Sequence, residues 1–270
     1  MRTRIAIASS VLLIAAACGG SGGNPLNPTT PGPDGSGGTT QPGGSAGSTT
    51  TAAPGGPNAP VPIQQGLATF DAYVFVTNFV STGPEPDQRS DTTIRTEFDR
   101  TSDSRIVVTD TFESGPDLDE PAESRQRVLT VGNETCTDDG ESWTYDSSTS
   151  QEREILDLAL GQMDIVLTPE SPVEIGRGDF AGIPAINYSF TPAGLGAESG
   201  AVTDVSLAEY WVSVDGNVLL RYDLVAESRD APTDDPNTKV FYVEIHMELV
   251  DTIGPGVVTL PAECLATAEA

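Results

Sequence analysis

The sequence predicts an α+β fold: a largely antiparallel sheet curved into an incomplete β-barrel, with a covering helix or helices, after a disordered N-terminal tether. Three observations lead there. From residue 70 onward, apolar and polar residues alternate with a period of two, as strands with one buried and one wet face require. One segment, residues 149–166, spaces its apolar residues as a helix does. Ahead of both, residues 19–60 are almost entirely Gly, Ser, Thr, Pro, Asn and Ala, with Asp34 the only charge. Such a stretch cannot bury enough surface to offset the entropy of ordering it.

The chain opens with Arg2 and Arg4, followed by an apolar run over residues 5–14 broken only by Ser9 and Ser10. A transmembrane helix needs about 20 apolar residues, so the run is too short to be a stable span. A basic start, a short apolar stretch and small residues at its end mark a secretory signal peptide. Ala15-Ala16-Ala17-Cys18 resembles the bacterial lipobox, departing from it at Ala15, where leucine is commoner. The resemblance implies that residues 1–17 are a lipoprotein signal peptide and that Cys18 is acylated, for instance with palmitate, and anchors the protein to a membrane of the cell envelope. The other reading is an ordinary signal peptide cleaved near Ala17. Each acyl CH₂ contributes about 0.8 kcal/mol to membrane binding, so two or three chains hold a protein firmly. Residues 18–60 then act as a flexible linker, and residues 61–270 are expected to form a single domain.

Forty acidic residues oppose 13 basic ones, for a net charge of -27. Nucleic-acid binding is disfavoured, because it needs cations to displace counterions. With Cys18 acylated, Cys136 and Cys264 remain as an even pair in an oxidising compartment, and a disulfide between them is expected. Two separate buried thiols are the alternative.

The strands read off in order. "LATFDAYVFVTNFV" is apolar on both alternate faces: a short helix running into a strand, or a strand covered on both sides. "TTIRTEFDR" places Ile94, Thr96 and Phe98 on one face and Arg95, Glu97 and Asp99 on the other. "SRIVVTDTF", "RQRVLTVGN", "ESWTYD" and "IPAINYSFT" are shorter strands. "STSQEREILDLALGQMDIVL" is the helix, with Thr149 and Glu152 spaced as a capping box. "VSLAEYWVSVDGNVLLRYDLVAE" is a hairpin, with Asp215-Gly216 expected to supply the positive φ of its turn. "KVFYVEIHMELVD" is the clearest strand. It sets Phe241, Val243, Ile245, Met247 and Leu249 against Tyr242, Glu244, His246 and Glu248.

The hairpin "AEYWVSVDGNVLLRYDLV", together with the lipobox, the tether and the meander of long strands, resembles the LolA/LolB-type fold. Mycobacterial glycolipid-carrier lipoproteins (LppX/LprG-like) share that fold. The resemblance implies a half-open barrel with an apolar cavity for acyl chains and a helix as lid or plug. It carries over no catalytic or ligand-specific residue. The pocket candidates come from the apolar sets: Leu156, Leu160 and Met163 on the helix, and Phe241, Val243, Ile245, Met247 and Leu249 on the strand. They line a cavity or fill a solid core; alternation alone does not decide between the two.

His246 is the only histidine, and Glu244 and Glu248 flank it on its face. One histidine with carboxylates is thin ground for zinc, and no G-x-S-x-G elbow is present. The acidic clusters at 117–120, 138–139 and 234–235 lack the spaced ligands of a calcium loop. No metal, cofactor or catalytic residue is therefore assigned, and the chain reads as a non-enzyme. Two functions stand: an extracytoplasmic lipoprotein that binds or carries a lipid or other amphiphile, or an envelope module that engages a protein partner through an acidic face.

Overall fold

Alternating residues form strands only where neighbours can pair, and here they pair into a single sheet. The computed structural model describes residues 59–85, 87–147, 169–192, 202–229 and 240–268. The expected signal segment, Cys18, the expected linker as far as residue 58, and the helical pattern with Leu156, Leu160 and Met163 lie outside the described residues. So does the acidic pair Asp234-Asp235.

Helix α1 (Ile63–Leu67) leads into β1 (Ala72–Thr82), which is followed by β2 (Arg89–Asp99), β3 (Ser104–Ser114), β4 (Ala122–Val131), β5 (Glu134–Asp138) and β6 (Trp143–Asp146). The second half holds β7 (Pro169–Phe180), β8 (Ile183–Pro192), β9 (Val202–Ser213), β10 (Leu219–Arg229), β11 (Val240–Asp251) and a short C-terminal helix α2 (Ala262–Thr267). All pairings are antiparallel. The 11 strands run in the order β6-β5-β4-β3-β2-β1-β11-β10-β9-β8-β7. Two meanders are thus joined by the central β1–β11 pair. The outermost strands, β6 and β7, do not pair, so the sheet is not closed into a barrel. Residues 147–168 connect its two edges.

The stretch "LATFDAYVFVTNFV" is mostly strand, buried on both faces at its start as the second reading had it, with only Leu67 in a helix. Helix α1 ends at Leu67 and β1 starts at Ala72. Strand β1 is central, which explains its double apolarity: Tyr73, Val74 and Phe75 are all buried. Strand β7 does not look like one in sequence, because Pro169, Pro172, Gly176 and Gly178 interrupt it. It survives as a strand because it is an edge, where a residue without an N–H costs no ladder bond.

The β9–β10 turn differs from expectation by one residue. Gly216 (φ 84°) and Asn217 (φ 51°) carry the positive φ, not Asp215. The connection is five residues long, Val214 to Val218, and Ser213 organises it. Its hydroxyl donates to the Asp215 carbonyl (2.6 Å) and accepts from the Val218 N–H (3.0 Å).

After β11 the chain crosses the end of the sheet as a strap. At Gly254 a Cβ would lie 2.7 Å from the Phe98 carbonyl oxygen, so only glycine passes. Ser102 donates to the Gly256 carbonyl (3.4 Å). Val258 and Leu260 then pack on Leu129 and Cys136, and a disulfide joins Cys136 to Cys264 at the start of α2. Both cysteines are fully buried.

Candidate functional site

The register sorts the strands onto two unlike faces. On one, termed inner, Phe75 lies opposite Leu249, Thr77 opposite Met247 and Phe79 opposite Ile245. Tyr222 and Leu224 of β10 continue the Met247 and Ile245 rows. Tyr210 of β9 and Tyr188 of β8 extend the first of these rows. Helix α1 adds Ile63 and Leu67 to the same buried cluster. Phe190 on β8 and Tyr222 on β10 are two strands apart, about 10 Å on a flat sheet. Their ring centroids are 5.2 Å apart. The side chains converge, as they do on the concave side of a bent sheet.

Of the strand residues read as pocket candidates, Ile245, Met247 and Leu249 are buried in this cluster. Val243 packs against it half-buried, and Phe241 is 39% exposed at the end of the row.

Tyr222 is the anomaly. It is 1% exposed, and its hydroxyl has no hydrogen-bond partner among the described residues. Burial drives its phenol pKa well above the ordinary range, so it stays a neutral donor. An unanswered buried hydroxyl costs about 1–3 kcal/mol, and native interiors seldom leave one.

Beyond β1 the inner face changes character. Strands β2 to β5 present Thr92, Thr96, Thr109, Thr130 and Thr135. Thr130 and Thr135 share a hydrogen bond of 3.3 Å. One cation stands here: Arg105, opposite Phe98 in the ladder, with its guanidinium carbon 5.8 Å from the Phe98 ring centroid. Its Nε is buried without a hydrogen-bond partner among the described residues.

The outer face is a ladder of charges. Arg89 pairs with Asp91 at 3.0 Å, Arg95 with Glu97 at 2.7 Å and Arg221 with Asp223 at 2.7 Å. His246 lies in this ladder, half-buried. Its Nδ1 is 2.7 Å from Asp223 and its Nε2 3.1 Å from Glu248. Glu244, expected beside it, instead accepts from the Tyr242 hydroxyl (2.9 Å). Asp223 comes from the neighbouring strand, which linear spacing does not reveal. Among the described residues no group of three or more His, Cys, Asp and Glu is arranged to hold a metal. Asp138 and Asp139 cap the β5–β6 turn. Asp139 accepts from the N–H groups of Glu141 (3.0 Å) and Ser142 (2.9 Å), and these hold its carboxyl below the usual range. An open depression of about 490 Å³ also lies on this side, lined by Asp91, Thr93, Asp110, Phe112, Glu123 and Arg125 with the neighbouring Thr111 and Ser124.

Alternation could have pointed to Tyr222, which shares a row with Leu220 and Leu224. Arg105 was not legible, because in "SRIVVTDTF" the more apolar alternate set is Ile106, Val108 and Phe112. The ladder puts that set on the outer face.

No protein-family model matches the chain, and no curated protein matches it. Among solved structures it is similar to LprF from Mycobacterium bovis, with a TM-score of 0.30 and 15% identity, covering 76% of this chain and 99% of that one. MucB in complex with MucA(peri) gives a TM-score of 0.28 at 15% identity over 75% of this chain, which spans only 58% of the MucB chain. A DUF1329 family protein from Desulfovibrio piger gives 0.23 at 12% identity, covering 70% and 93% of the two chains. Overlaps at these scores carry no argument about function.

Proposed function

We propose that the chain is an envelope lipoprotein, anchored through Cys18, whose inner face takes up a lipid or other amphiphile without covalent chemistry. The observation that carries the reading is Tyr222: a buried donor without an acceptor among the described residues, set among Met247, Tyr210 and Phe190 on an apolar face. An amphiphile brings what this face lacks, namely apolar surface along most of its length and an oxygen to accept one hydrogen bond. The Cys136–Cys264 disulfide supports an extracytoplasmic setting, where such bonds persist.

The test is uptake of a polyene fatty acid that fluoresces only out of water. Saturable binding is expected, with at least a tenfold loss on placing a carboxylate at the half-exposed end of the row (Phe241→Asp with Val243→Asp). Equal signals from parent and variant would overturn the reading. Anchoring is checked separately: Cys18→Ala releases the protein from the membrane fraction.

A second reading, engagement of an envelope protein through the acidic outer face, rests on the depression beside Asp91, Asp110 and Glu123. Most of the charges there already pair within the ladder, which leaves less for a partner to meet.

A further inference from the structure

We infer that the amphiphile is anionic and that Arg105 receives its head group. The inference rests on the proposed inner-face binding and names the class of ligand. Nine arginines are described, and seven of them lie within 4.0 Å of a carboxylate. Of the other two, Arg127 is exposed on the outer face. Arg105 faces inward, and unlike Arg177, which the ladder also sets on that face, it has no carboxylate within reach among the described residues. Scarcity of partners does not explain it, because acidic residues outnumber basic ones by 40 to 13.

Its surroundings are built for an anion that has yet to arrive. Phe98 supports the guanidinium from one side, a contact that favours the cation without neutralising it. The buried Nε has a hydrogen to donate and nothing among the described residues to accept it. The nearest inner-face neighbours along its row, Phe98 and Thr130, are uncharged. Arginine's planar fork matches two oxygens of a carboxylate or phosphate.

The position matters as much as the charge. Arg105 stands where the apolar floor meets the threonine-lined part of the face, one strand from Phe98 and two from Tyr73. Tyr73, Phe75 and Leu249 are buried in the apolar cluster, so a chain that enters this cluster would leave its head group at this border. A small free anion would have no use for that floor, so the structure favours a long-chain anionic amphiphile.

The experiment uses the delipidated full chain and three probes: oleate, oleyl alcohol and acetate. The parent protein is expected to bind oleate about tenfold to a hundredfold more tightly than oleyl alcohol, the range of a charge-assisted hydrogen bond. Acetate is expected not to compete. Arg105→Gln should bring the two affinities together, with an unchanged urea midpoint showing that the variant is folded. Arg105→Lys should keep part of the preference. Equal affinity of the parent for oleate and oleyl alcohol overturns the inference, as does a preference that survives Arg105→Gln. Competition by acetate shows a plain anion site and overturns the amphiphile assignment. Failure of the parent to bind either long chain takes down the inner-face reading itself.

Discussion

Replacing Tyr222 with phenylalanine should stabilise the delipidated protein, whereas removing a buried tyrosine hydroxyl ordinarily does the reverse. The ring is held by Phe190 at 5.2 Å and by Tyr210 and Met247 as cross-strand neighbours. Phenylalanine preserves all of these contacts. Only the hydroxyl leaves, and it has no partner among the described residues. Its desolvation costs about 1–3 kcal/mol, of which the substitution recovers about 1–2 after the small void is counted. In urea this appears as a higher midpoint at constant slope. For a folded unit of 150–250 residues it corresponds to a rise in Tm of roughly 2–8 °C. A loss of 1 kcal/mol or more in delipidated Tyr222→Phe would show that the hydroxyl is already satisfied and would refute the reasoning.

Other parts of the structure give further expectations. The disulfide closes a separation of 128 residues, worth about 5 kcal/mol in the chain-entropy model. Replacing both Cys136 and Cys264 with alanine should therefore cost about 2–5 kcal/mol by urea titration; an unchanged midpoint would show that the strap contributes no stability. Gly254→Ala forces a methyl against the Phe98 carbonyl and should destabilise by about 1–3 kcal/mol. Ala181 is exposed at φ 50° in the β7–β8 turn, a conformation that costs a residue with a Cβ about 1 kcal/mol. Ala181→Gly should raise the melting temperature, and a fall would show that the turn is not strained.

The fold class was legible because the most buried strands are amphipathic in the plainest way. In β11 alternation alone separates Ile245, Met247 and Leu249 from His246 and Glu248. The hairpin was legible too, though its turn lies one residue later than the Asp-Gly pair suggests, since Ser213 extends the loop. Strand β7 was not legible, because its prolines and glycines are tolerated only at an edge, and edge position is a property of the whole sheet. The site was less legible than the fold. The strap and disulfide cover part of the outer face and draw Leu129 there. Helix α1 and the bent sheet bury the other. With apolar residues needed on both faces, alternation in β3 and β4 no longer says which side is inside. Arg105 is therefore visible only once pairing with Phe98 fixes its face. Of the carboxylates at His246, Glu248 was legible along the strand, whereas Asp223 reaches it across strands.

The central claim, that an amphiphile occupies the inner face, is tested most directly by a native mass spectrum of the protein as purified from its own membrane. The account predicts a mass excess matching one lipid-sized anionic molecule, lost on organic extraction and restored by oleate. A bare polypeptide that stays bare when oleate is added would contradict it.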